Sequence, residues 1–103
     1  IEDESEKVDL TPAKFTLSNY PNPFNSSTRV SYQIPAAGDI EIRIFNILGE
    51  LIYSYADIHG SAGEFSMIWD GTDGNDRPLA SGIYFYQLKA GQYTETKKMV
   101  LLK

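Results

Sequence analysis

The stretch STRVSYQIPAAGDIEIRIF, residues 27–45, decides the fold class. In its first half Val30, Tyr32 and Ile34 alternate with Arg29, Ser31 and Gln33; in its second, Ile40, Ile42 and Ile44 alternate with Glu41 and Arg43. Successive side chains of an extended chain point to opposite faces, so each half reads as a strand with one apolar and one wet face. Between them PAAGD sets Pro and Gly where a hairpin loop uses them, and the two strands are expected to be antiparallel neighbours.

The same period continues outward. NILGE, residues 46–50, supplies a turn in which Gly49 is the natural residue for a positive φ, and ELIYSYA follows as a strand with Leu51, Tyr53 and Tyr55 on one side. DIHGSAG reads as a loop. EFSMIWD then places Phe65, Met67 and Trp69 on alternate positions, with Ile68 on the opposite phase. A polar turn cluster, DGTDGNDRP, leads into SGIYFYQLKA, and a Gly-Gln turn joins that run to YTETKKMVLL as a terminal hairpin. With KFTLSNY at the front there are about seven strands and no segment of helical period. The expectation is an all-β fold, an immunoglobulin-like antiparallel β-sandwich, with a partly open barrel as the competing architecture. Trp69 and the tyrosines are expected to supply much of its core.

Length and charge bound the function. A chain of 103 residues fits one domain, and the absence of cysteine leaves packing alone to hold it. The net charge of -5 is concentrated in IEDESEKVD, where five acids meet one Lys; the remainder carries nine acids and eight bases. That near-neutral body lacks the clustered Lys and Arg of a nucleic-acid surface. Residues 1–14 read as an acidic flexible linker from an upstream domain, and residues 15–103 as the folded unit. No apolar run approaches the roughly 18 residues of a membrane span, and no secretory signal opens the chain, which begins at Ile1 and reads as a piece cut from a longer polypeptide.

Catalytic and ligand-binding patterns are sparse. His59 is the only histidine and reads as a solvated loop residue. Asp70, Asp73, Asn75 and Asp76 offer oxygens to a calcium ion, but no register sets a closing Glu where a calcium loop needs one. Their alternative role is to hydrogen-bond the nearby backbone and build successive turns with Gly71 and Gly74. Tyr53, Tyr55, Tyr84, Tyr86 and Tyr93 are read mainly as core, with an exposed sugar-stacking stripe as the second reading. Asn25 opens a formal N-glycosylation triplet, NSS. Neither a cofactor nor an enzymatic activity is expected.

NYPNPFNSS, residues 19–27, is more specific. Pro21 and Pro23 fix the path of the chain, Asn22 and Asn25 can satisfy backbone groups that the prolines cannot, and Phe24 is expected to tuck under an edge. The chain reaches its end on KKMVLLK, an apolar run between lysines.

LSNYPNPFNSST, IFNILGELI, WDGTDGNDRPLASGIYFYQL and KKMVLLK, in that order across residues 17–103, resemble the type A C-terminal sorting domains of proteins exported by the type IX secretion system. Those domains are borne by secreted or surface proteins of Bacteroidetes and related bacteria, and are similar to the immunoglobulin-like domain of flagellar hook-capping proteins. By position, Pro21, Asn22, Pro23 and Phe24 match the family's first corner, Gly49 its LG turn, and Gly82 and Tyr84 its SGxY strand opening, with Trp69 heading the central motif. Lys98, Met99, Val100, Leu101, Leu102 and Lys103 match its terminal segment. The loop departs from the family in reading DGND, which bears on its turn type. The resemblance implies a non-catalytic signal that carries an upstream cargo in the same chain through the periplasm to the outer-membrane translocon. It further implies removal by a surface sortase-like transpeptidase, leaving cargo at the cell surface or outside. Recognition of the last strand's edge by strand addition is the expected mode. The alternative is an immunoglobulin-like accessory module that binds carbohydrate or spaces domains.

Overall fold

The computed structural model describes residues 14–103, so the linker expected over residues 1–14 lies, Lys14 apart, outside the described residues. Seven strands follow one another: β1 (Thr16–Tyr20), β2 (Thr28–Ile34), β3 (Gly38–Phe45), β4 (Leu51–His59), β5 (Gly63–Trp69), β6 (Gly82–Ala90) and β7 (Tyr93–Leu101). They form two antiparallel sheets with strand orders β1-β2-β5 and β4-β3-β6-β7. This is an immunoglobulin-like sandwich in which the fourth strand belongs to the second sheet.

The expected β2–β3 hairpin does not form. β2 is flanked by β1 and β5, and the chain crosses to the other sheet before β3 begins. The reason is coverage: Val30, Tyr32 and Ile34 on one strand and Ile40, Ile42 and Ile44 on the next are all buried. Two such stripes side by side would leave both needing a lid, whereas on facing sheets each covers the other. Leu17, Phe24, Met67, Trp69, Tyr84, Tyr86, Leu88, Met99 and Leu101 complete the core.

In β4 Tyr53 and Tyr55 share the core side as expected, and only Leu51 departs from it. The register of β4 against β3 shifts between Ile44 and Phe45, so that Tyr53 lies opposite Ile44 but Leu51 lies opposite Phe45. The extra residue turns Leu51 out to solvent and lets Ile52 pack against the core, as a bulge does. In β5 the Phe65, Met67, Trp69 phase holds and Ile68 is exposed.

His59 ends a strand instead of sitting in a loop. Its Nε2 lies 2.8 Å from the Tyr32 hydroxyl, and its ring stacks on Phe65 at 3.6 Å between centroids. The polar contact completes a buried phenol, which accounts for a lone histidine here. Tyr84 and Tyr86 are buried and Tyr53, Tyr55 and Tyr93 pack half-buried against the core, so these five do not form an exposed stripe.

The buried phenols make a pH prediction. Burial, reinforced by Tyr55 and Asp57, pushes Tyr32 up to about 12; burial and Glu95 do the same to Tyr86; and the hydrogen bond to Glu95 raises Tyr93 to about 12. Each proton is held more tightly in the folded chain than at the ordinary phenol value near 10. The stabilisation is therefore complete below about pH 10 and is lost as the pH rises toward 12. Melting temperature is expected to fall across that window in step with tyrosinate absorbance. A flat profile there would mean the phenols are not held as described.

Candidate functional site

The corner at residues 21–24 and the terminal strand are bound to each other. Phe24 donates its N–H to the Val100 carbonyl at 2.9 Å and accepts from the Leu102 N–H at 2.8 Å. Asn22 continues the ladder with its side chain: Oδ1 accepts from the Val100 N–H at 3.0 Å, and Nδ2 donates to the Lys98 carbonyl at 3.2 Å. The corner thus acts as a short parallel strand laid on the outer edge of β7. Its own path is fixed by Thr28, whose buried hydroxyl donates to the Pro21 carbonyl at 2.9 Å and accepts from Asn19 Nδ2 at 3.0 Å.

Under this ladder lies an aromatic cluster. Phe24 is fully buried, with its ring 5.7 Å from Trp69; the indole in turn meets Tyr84 edge-on at 5.9 Å and Tyr53 at 6.4 Å. Tilted and edge-on pairs of this kind add to the area they bury. Trp69 Nε1 donates to the Thr72 carbonyl at 2.9 Å, and the Tyr84 hydroxyl donates to the Ala80 carbonyl at 2.7 Å. The second bond is a tyrosine corner, tying the start of β6 to the loop before it. Gly71 is buried with φ 76°, and a Cβ there would lie 3.4 Å from Leu101 Cδ2 and 3.9 Å from Phe24 Cε2.

The loop at residues 70–81 is built by its own side chains. Asp73 Oδ1 accepts from the Asn75 N–H at 2.8 Å and the Arg77 N–H at 3.0 Å, and Oδ2 pairs with Arg77 Nε at 3.3 Å. Those two backbone hydrogen bonds, more than the Arg77 charge, hold the Asp73 carboxyl below its usual range. Asp70 Oδ1 accepts from the Thr72 hydroxyl. The second positive φ of the loop falls at Asp76 (63°), not at Gly74. Aspartate tolerates that region because its short side chain bonds locally. Among the described residues no three His, Cys, Asp or Glu side chains gather to hold a metal ion.

Four stretches far apart in sequence therefore meet at one end of the sandwich. Met99 and Leu101 are buried, Val100 is half-buried, and Lys98, Leu102 and Lys103 are exposed. Lys103 donates its N–H to Ser81 Oγ at 2.8 Å, next to Gly82, which opens β6 opposite Leu101. Gly49 turns the β3–β4 hairpin with φ 82°, its N–H bonded to the Asn46 carbonyl. The sequence reading named Gly71 only as a turn residue and missed its packing against Leu101 and Phe24, and it missed Asn22 as a long-range ladder partner. It also expected the edge of residues 98–102 to be open. That edge is already filled from within from the Lys98 carbonyl to the Leu102 N–H, and the outward-turned backbone of β7 without a partner among the described residues is at Thr94, Thr96 and the Lys98 N–H.

Two substitutions and a control probe this arrangement. Asn22→Ala removes two hydrogen bonds to β7 and is expected to cost about 1–3 kcal/mol in a denaturant melt; an unchanged midpoint would mean the side chain does not serve as a ladder. Gly71→Ala is expected to cost about 1–3 kcal/mol, because an L-residue is strained at that φ and its Cβ presses on Leu101. Gly49→Ala, at a similar φ but with open space around the new Cβ, isolates the backbone part of that cost.

Residues 18–102 match the profile of the family described as "Secretion system C-terminal sorting domain". Among solved structures, the dimeric latent PorU of Porphyromonas gingivalis is similar over 85% of this chain and 9% of its own, at 17% identity and a TM-score of 0.75. PorZ of the same organism, described as an essential surface component of the type-IX secretion system, is similar over 84% of this chain and 11% of its own, at 15% identity and 0.59. FlgD of Xanthomonas campestris, a flagellar hook-capping protein, is similar over 87% of this chain and 63% of its own, at 22% identity and 0.60. The chain thus spans a small part of the first two proteins and less than two thirds of the third; identities this low carry the fold alone. No curated protein matches the chain.

Proposed function

Because the chain belongs to the family of secretion system C-terminal sorting domains, we propose that it is the non-catalytic signal by which an upstream cargo in the same polypeptide crosses the outer membrane through the type IX translocon. The cargo passes through the periplasm, and a surface sortase-like transpeptidase then removes the domain and leaves the cargo at the cell surface or free. The observation that carries this reading is the convergence of the sorting-family stretches on one end of the sandwich, where the corner at residues 21–24 seats the terminal segment. A signal read by a translocon has to be presented in a fixed shape, and the ladder and aromatic cluster supply one.

The competing accessory-module reading finds little support in the tyrosines, which are committed to packing. The test is to express the whole cargo protein in a type IX-competent bacterium with residues 14–103 intact, or replaced by an unrelated β-sandwich of similar size. The sorting reading expects surface cargo only with the native domain, shortened by roughly the domain's mass. Equal export with the replacement would leave the accessory-module reading standing.

A further inference from the structure

The outer face of the four-stranded sheet is divided across its middle. In the half toward the β3–β4 turn, Phe45 pairs with Leu51 on one side and Phe85 on the other, Phe85 pairs with Lys98, and Ile83 pairs with Val100. In the other half the corresponding rows are Ser54, Arg43, Gln87 and Thr96, then Ala56, Glu41, Lys89 and Thr94. The first half is apolar and accessible: Leu51 is 53% and Ile83 41% exposed, and Leu48 at the tip of the adjoining turn is 78% exposed. Period-two alternation should set polar residues on a wet outer face, so this half breaks the pattern that the rest of the sheet obeys.

The charges bordering the apolar half are unequal. Arg43 is paired within the face with Glu41 at 3.1 Å, whereas Glu50, at the tip of the turn and away from β7, keeps its charge, its carboxylate accepting from the neutral Asn46 Nδ2 at 2.7 Å. Lys98 and Lys103 have no acidic partner among the described residues. The apolar half offers six exposed or half-exposed side chains, Phe45, Leu48, Leu51, Ile83, Phe85 and Val100, against the roughly 20–30 residues a side of a stable interface. A face of that size, bordered by lysines with no acidic partner among the described residues, suits brief capture of a different protein better than permanent self-association.

We propose that this half-face, and not the β7 edge, is the surface by which the domain docks on the secretion machinery, and that its partner is a protein segment with apolar side chains flanked by carboxylates. The edge at residues 98–102 cannot accept an added strand while Asn22 and Phe24 occupy it, whereas the face beside it is open. The inference rests on the sorting function proposed above.

The test uses the full cargo protein in a type IX-competent bacterium, reading surface against retained cargo. One variant carries Leu51→Ser with Ile83→Thr, a second carries Lys98→Glu, and a control carries Ile68→Ser on the outer face of the other sheet, where Ile68 is also exposed. Melts of each purified protein establish that the fold is kept. Surface cargo is expected to fall by about tenfold or more in the first two variants, the size of effect that 1.4 kcal/mol of lost affinity produces, and to stay at the native level in the control. Native export in folded Leu51→Ser/Ile83→Thr protein, with the domain replacement still blocking export, would overturn the docking face while leaving the sorting function intact. Export that survives domain replacement would overturn both. Native export by Lys98→Glu alone would remove the acidic partner from the proposal. Concentration-dependent dimers that the apolar variant abolishes, without change in export, would assign the face to a second copy and overturn it.

Discussion

Deleting residues 99–103 is expected to leave a chain with no cooperative melt. Met99 and Leu101 are fully buried, and each such loss is worth about 2–5 kcal/mol. With them go the end of the β6–β7 ladder and the bonds from Phe24 and Asn22 to residues 100 and 102, which leaves Phe24 without a floor. Together these approach the whole stability of a typical domain, about 5–15 kcal/mol. Circular dichroism of the truncated chain should show a broad, weak transition; a sharp melt within a few degrees of the native one would mean β7 ends before residue 99 in energetic terms. The consequence for secretion is direct. Loss of export on this truncation is expected whether the last residues are read as a signal or only hold the fold, so point changes on exposed positions discriminate where truncation does not.

Trp69→Ala is expected to cost about 3–5 kcal/mol. Its indole is 1% exposed, contacts Phe24, Tyr53 and Tyr84, and donates to the Thr72 carbonyl. Removing it opens a cavity between the corner, the loop and the two sheets, and strands that carbonyl. Trp69→Phe keeps a ring but loses the hydrogen bond, and should cost less than half as much. Chemical denaturation measures both. Similar small losses for the two variants would contradict the placement of Trp69 at the centre of the cluster.

Period-two alternation was enough to find the strands, because strand burial is a local property of sequence: Val30, Tyr32 and Ile34 announce their face without reference to any partner. Which strands pair is a different matter. The same alternation is compatible with β3 beside β2 or across from it, and only the need to cover both apolar stripes decides for the second. His59 carried no local signal, since the phenol it completes is 27 residues away. The seating of the terminal strand was equally hidden, because Asn22 reaches positions 76 and 78 residues distant and an asparagine between prolines looks like turn chemistry alone. The apolar outer half-face escaped notice because RIF and YFY place apolar residues on both phases, which blurs the alternation there.

The first corner and the last strand form one ladder, and amide hydrogen exchange of the native chain tests this directly. Val100 and Leu102 donate to Asn22 and Phe24, whereas Thr94 and Thr96 have the same outward orientation on β7 without a backbone partner among the described residues. Slow exchange at Val100 and Leu102 beside fast exchange at Thr94 and Thr96, with Val100 losing its protection in Asn22→Ala, is the predicted result. Equally fast exchange at all four would mean that the terminal strand has an open edge, and the seated-signal account would fail.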